Sequence, residues 1–148
     1  MVSSRTADAV PALAALLADE KLAHMARYGL ETIPNPAVDE ALRDALGKLK
    51  GRLLVGVIGS TGVRRDEKAV GALVGLLKDA DADVSQASAR ALGMIGSSAA
   101  AKGLQGMLEG ATAVSQLALC EGLFRCAEGF AARGQQDKAI TIYDTLRD

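Results

Sequence analysis

The sequence predicts an all-α fold of about four stacked antiparallel helix pairs followed by a final helix. Three observations predict it. Apolar residues recur at helical spacing along nearly the whole chain, capping residues stand between those runs, and the resulting two-helix unit returns in imperfect copies. The clearest unit is Asp66–Gly96, DEKAVGALVGLLKDADADVSQASARALGMIG. Asp66 stands at a helix N-terminus with Glu67 in the first turn, where the macrodipole favours negative charge. Val70, Leu73, Leu76 and Leu77 make one apolar stripe. Asp79, Asp81 and Asp83 interrupt it, with Asp83 in position to cap the next helix. Val84, Ala87, Ala91, Leu92 and Ile95 make a second stripe, and Gly96 ends it as a C-terminal cap. One hairpin of this kind cannot bury both its faces, whereas stacked neighbours can.

The other elements follow in order. A first helix is expected from about Thr6 to Ala18, with Pro11 in an early turn, and a second from Asp19 or Glu20 to Ile33. Pro34-Asn35-Pro36 is a firm break: Asn35 caps and Pro36 takes the first helical position. Helix three runs to about Leu46 with Val38, Leu42 and Leu46 inward, Gly47 to Gly51 form a slightly longer turn, and helix four runs to about Ser60. After the central unit, Ser97 or Ser98 caps helix seven, which ends near Glu109-Gly110, and Thr112 caps helix eight. Gly134 stops helix eight, and a ninth helix spans Asp137 to about Leu146. Gly71, Gly75, Gly103, Gly106 and Gly122 fall inside helices at a cost of up to about 1 kcal/mol each, which close approach between helices would offset.

The copies carry a resemblance. Leu73, Leu76 and Leu77 recur as Leu104, Met107 and Leu108 and, two units earlier, as Leu13, Leu16 and Leu17. The ALGMIG of 91–96 is echoed by VIGSTG at 57–62. Helix pairs repeating at roughly 30 residues resemble HEAT-like repeats, in the short variety first noted in phycobilisome lyases, from about Ala7 to Ala127. The segment AEGFAARGQQDKAITIYDTL is similar to the junction within a tetratricopeptide repeat, at Ala127, Phe130, Gly134, Ala139, Ile140 and Tyr143. The resemblance implies a right-handed α-solenoid, residues 1–148 as a single repeat domain, and a concave face lined by the second helix of each pair. It says little about activity, since one scaffold of this type serves many.

Composition narrows the function. The 17 basic and 18 acidic side chains leave a formal charge of −1, so no bulk field points to nucleic acid or a membrane, and neither partner is expected. No apolar run reaches the roughly 20 residues that a spanning helix needs. The N-terminal MVSSRTADAVPALAALLADE mimics a signal peptide, but its apolar residues keep the repeat register and Asp8 interrupts them, so a first helix is expected. Cys120 and Cys126 stand about 120° apart around one predicted helix, too far to bridge. Two free thiols favour a reducing, cytoplasmic setting.

Chemistry finds little purchase. His24 is the single histidine, without partners at ligand spacing, so neither metal nor cofactor is expected. Asp79, Asp81 and Asp83 have the spacing of a calcium loop but lack its closing glutamate, and capping explains them. Arg27, Arg52, Arg64, Arg65 and Arg90 echo the cationic face of HEAT-like DNA glycosylases, but the chain is near neutral and has no Trp.

The expected function is therefore a non-enzymatic protein–protein interaction module that offers a concave helical face to a protein or peptide. With Val84, Ala87, Ala91 and Ile95 inward, the opposite side of that helix carries Gln86, Ala89, Arg90 and Gly93. The same register selects His24, Arg27, Tyr28 and Glu31 in the first pair, Arg52, Val55, Gly56 and Gly59 in the second, and Leu117, Cys120, Glu121 and Phe124 in the fourth. The candidate binding residues are His24, Arg27, Tyr28, Glu31, Arg52, Gln86, Arg90 and Glu121. The alternative is a lyase-like, chromophore-handling protein of the short-repeat class, which a deep pocket would favour. Ile140, Ile142, Tyr143 and Leu146 exceed what packing on helix eight uses, so either a monomer or a weak homodimer through the final helix is expected.

Overall fold

Among the described residues, 4–147 of a computed structural model with side chains from residue 8 onward, the chain forms nine α-helices and no strand. Met1–Ser3 and Asp148 of the expected 1–148 domain lie outside the described residues. The helices are α1 (Ser4–Ala15), α2 (Ala23–Thr32), α3 (Pro36–Leu46), α4 (Gly51–Val63), α5 (Val70–Leu76), α6 (Ala82–Ile95), α7 (Ser98–Gly106), α8 (Ala113–Ala132) and α9 (Gln136–Arg147). Short 3-10 turns at Leu16–Ala18 and Glu67–Ala69 extend α1 and precede α5. The outer row is α1, α3, α5 and α7. The inner row is α2, α4, α6 and α8, and α9 packs on α8.

Local chemistry sets most helix ends. Asn35 accepts from the Ala37 amide at 2.8 Å ahead of Pro36, Ser97 from Ala100 at 3.1 Å, and Thr112 from Ser115 at 3.3 Å. Gly96 and Gly134 take left-handed backbone, with φ of 67° and 79°, and close α6 and α8. Two starts differ from the sequence reading. The Asp19 carboxylate accepts from the Lys21 and Leu22 amides, holding a turn that delays α2 to Ala23. Asp81, rather than Asp83, caps α6 by accepting from the Asp83 amide at 2.9 Å, while Asp79 accepts from the Asp81 amide. Those carboxylates are committed to backbone amides.

α4 runs three residues past the expected Ser60, and the reason is packing. Ser60, Thr61 and Gly62 are buried against the array, and Gly62 does not cap as Gly96 does. A Cβ on Gly62 would stand 3.0 Å from the Ala91 Cα of α6. The chain turns instead at Arg65, with φ of 53°; the Arg65 amide donates to the Gly62 carbonyl and the Asp66 amide to the Thr61 carbonyl. That is a Schellman closure carried by a non-glycine residue.

The inner row is held by backbone contact. A Cβ on Gly93 would meet the Gly122 carbonyl oxygen at 2.9 Å, and one on Gly122 would meet the Ala89 carbonyl oxygen at 2.8 Å. Around this seam Leu92, Leu104 and Leu123 are fully buried, in one core that runs from Val10 to Ile142. Of the five helical glycines named from the sequence, Gly122 and Gly103 are tight. Gly71, Gly75 and Gly106 face open space, so no close approach offsets their cost.

At the array's edge Arg64, just past α4, joins the first two pairs. Its guanidinium donates to both oxygens of Asp39 on α3, at 2.6 and 3.0 Å, and to the Ile33 carbonyl at 2.7 Å beyond the end of α2. The Asp39 hydrogen bond, against the cost of burial, raises the Arg64 pKa further above its ordinary value. Arg43 pairs with Asp66, the residue that caps the following turn. Arg133, just past α8, repeats the Arg64 device by donating to the Gly96 carbonyl at 3.0 Å. These cations serve carbonyls that a helix C-terminus leaves unpaired.

α9 buries Ala139 and Ile142 on α8 and half-buries Leu146. Ile142, named above as a marker of leftover apolar surface, is thus internal. The exposed edge is Ile140 and Tyr143, with Tyr143 tilted against Phe124 at 5.7 Å between ring centroids.

Two stability outcomes follow from these contacts. Gly122→Ala gains helix propensity but pushes a methyl into backbone, for a net loss of about 1–2 kcal/mol, whereas Gly71→Ala gains up to about 1 kcal/mol. Equal effects in urea denaturation would disprove the tight α6–α8 seam. Arg64→Ala should cost about 3 kcal/mol, and Arg64→Lys should recover only part, since an ammonium cannot span the carboxylate and the carbonyls together. A full recovery by Lys would reduce the interaction to simple charge.

Candidate protein-binding surface

The inner helices position the candidate side chains, and the structure distributes them over four hollows, with Tyr28 and Glu31 lining none of these. On α2, Ala23, Ala26 and Leu30 turn into the core, leaving His24 and Tyr28 exposed and Arg27 and Glu31 half-buried. Arg27 lies across α4: a Cβ on Gly56 would collide with its guanidinium at 2.5 Å. The same guanidinium stands 3.4 Å from His24 Nδ1. Glu31 accepts from the Ser60 hydroxyl at 3.1 Å, so it ties α2 to α4 as well as reaching the surface. Tyr28, 71% exposed, lines none of these hollows.

His24, Arg27 and Arg52 meet in a cleft between the beginnings of α2 and α4, with Glu20 and Lys21 at its rim. Arg27 also borders a second hollow that crosses all four inner helices. Its floor is Val55, Gly56 and Gly59 of α4 with Ala87 and Ala91 of α6, and Arg90, Met94 and Arg125 complete it. Gln86 borders a third hollow, beside the 107–112 turn, and Glu121 a fourth, with Phe124 and Leu146. The eight candidates therefore do not form one site. Arg27 and Arg90 share the central hollow, and Arg125 is the neighbour that the sequence register omitted. Its signal was its place beside Phe124, one step around α8 from the selected stripe.

Residues 52–123, from α4 into α8, match the family model for HEAT repeats. That match and the all-helical architecture fit a HEAT-like repeat protein. Curated proteins offer no match. The HEAT segment excludes α1–α3 and α9, yet α1 packs on α3 and α2 on α4 in the way that later pairs do. HEAT repeats commonly mediate protein–protein interaction. Among the described residues no three His, Cys, Asp or Glu side chains gather as a metal site, and no helix is long and apolar enough to cross a membrane. Arg64, one of the arginines weighed above for nucleic acid, is spent inside the HEAT array on Asp39 and the Ile33 carbonyl.

Both thiols are free. Cys126 is fully buried with its Sγ 3.8 Å from the Leu92 carbonyl oxygen. Burial pushes its pKa from 9.0 up to about 11, against a lowering influence from Arg133. The folded state thus holds this proton more tightly than the unfolded chain does, so stability is lost as pH rises from 9.0 toward about 11. In a disulfide-reagent assay at mildly alkaline pH, the partly exposed Cys120 should react in the native protein and Cys126 only on unfolding. Two equally fast thiols would place Cys126 outside the core.

Proposed function

We propose that the chain is a non-enzymatic interaction module that seats a protein or peptide partner along its inner helices. The observation that carries this reading is the central hollow itself, which crosses α2, α4, α6 and α8 on a floor of Gly56, Gly59, Ala87 and Ala91. Small residues let a partner's backbone approach the helices closely, and rigid helices hold the flanking side chains in place at little entropic cost. The charged side chains at its border are arginines, whose planar donor forks suit anions and polar groups.

A steric block tests the reading. A Cβ on Gly59 meets nothing within 4 Å, so Gly59→Trp should fill the hollow and leave the fold intact. Gly71→Trp, at a similarly open place on α5, is the control. Melting temperatures of both variants should stay close to the parent. In quantitative affinity capture, a specific partner should be retained by the parent and by Gly71→Trp but lost by Gly59→Trp. Retention of every captured partner by Gly59→Trp would remove the hollow from the function.

A further inference from the structure

We infer that the central hollow is selective for an acidic segment of its partner, one rich in Asp and Glu, gripped by Arg27, Arg90 and Arg125. The inference rests on the interaction reading above and adds the chemistry of the partner. Three arginines from three different inner helices border the hollow, and no acidic residue lines it. Among the described residues the ion pairs are Arg43–Asp66, Arg64–Asp39 and Arg147–Asp144, so none of the three has a carboxylate partner. This is an arrangement and not a consequence of composition, because the whole chain carries a formal charge of −1.

The geometry favours carboxylates on an extended chain. Arg27 lies over Gly56, and Arg125 stands over Gly93 with its Cβ 3.3 Å from where a glycine Cβ would be. The arginines flank a low floor of small residues, so a peptide backbone can pass between them while its carboxylates take paired hydrogen bonds from each guanidinium. Glu121 and Glu128 border Arg125 on its other side but not within ion-pair distance, so the three like charges still repel one another across the hollow, and an acidic ligand relieves that repulsion as well as adding its own contacts. A nucleic acid is less well served. No aromatic side chain lines the hollow for a base to stack on, and three cations neutralise few phosphates.

The test is fluorescence anisotropy with labelled dodecapeptides: one of alternating Glu-Ala-Asp-Gly, one with Gln and Asn in place of every acid, and a single-stranded oligonucleotide of equal length. The acidic peptide should bind, and its affinity should fall steeply with added salt. The amide peptide should bind at least tenfold more weakly, as should the acidic peptide to an Arg90→Gln/Arg125→Gln variant, whose two exposed positions leave the melting temperature unchanged. Arg27 is half-buried, so Gly56→Ala provides a second route: it displaces the guanidinium without deleting it and should weaken the acidic peptide also. Equal affinity for the amide peptide, no effect of the arginine substitutions, or no binding of the acidic peptide below about 1 mM would overturn the inference. Tighter binding of the oligonucleotide than of the acidic peptide would overturn it in favour of nucleic acid. If the acidic peptide fails while Gly59→Trp still abolishes partner capture, the interaction reading stands and only the acidic chemistry falls.

Discussion

The close approach of the inner helices, Gly62 against Ala91, Gly93 against Gly122 and Gly122 against Ala89, is the contact on which the rest of the array depends. A side chain of ordinary size at any of these positions would separate the helix axes and open the core that Leu92, Leu104 and Leu123 fill. Glycine inside a helix is locally unfavourable, so these helices draw their stability from stacking. Removing that seam would leave α4, α6 and α8 as amphipathic segments with nothing to cover them.

Charge works at the margins of this arrangement. Arg64 and Arg133 follow the ends of α4 and α8, and each reaches back to a carbonyl at the end of the preceding inner helix. A helix C-terminus has unpaired carbonyls and a partial negative charge, so a guanidinium there both satisfies hydrogen bonds and offsets the dipole. The Arg64 group is also tied to Asp39, making it a three-way joint between α2, α3 and α4. The inner row is thus fastened along its middle by backbone contact and at one edge by guanidinium hydrogen bonds from Arg64 and Arg133.

The same economy of side chains that brings the helices together shapes the functional face. Gly56, Gly59, Ala87 and Ala91 leave a trough where larger residues would have closed the surface. Arginines that have no carboxylate to answer stand beside it. Packing and recognition are therefore two consequences of one pattern: small residues on the inner helices bring backbone near backbone within the array, and near a partner's backbone at its surface.

The sequence by itself determined the number of helices, their pairing and most of their ends. Those properties are local: Asn35-Pro36, Ser97 and Thr112 cap through amides two or three residues away, and Gly96 and Gly134 end helices by adopting backbone that other residues resist. Local signals failed where several residues could do the same job. In the 79–83 stretch three alternating carboxylates can each cap, and the neighbouring helices decide that α6 starts after Asp81. Gly62 and Gly96 read alike in sequence, yet one packs in mid-helix on Ala91 and the other ends a helix. On α9 the stripe through Ile140 and Tyr143 looked as apolar as the one through Ala139 and Ile142, and only contact with α8 chose between them. The candidate surface was only partly legible: of the stripe read as outward on α6, Arg90 reaches the surface, but Ala89 and Gly93 are buried against α8. A stripe fixes which side of a helix is polar but leaves its rotation and offset against the next helix free. Only the tertiary structure decided that Arg64 and Arg133 are consumed by groups 25 to 37 residues away while Arg27, Arg90 and Arg125 remain unpaired together, because charge pairing depends on distance in space and the chain carries no record of that distance in its local pattern.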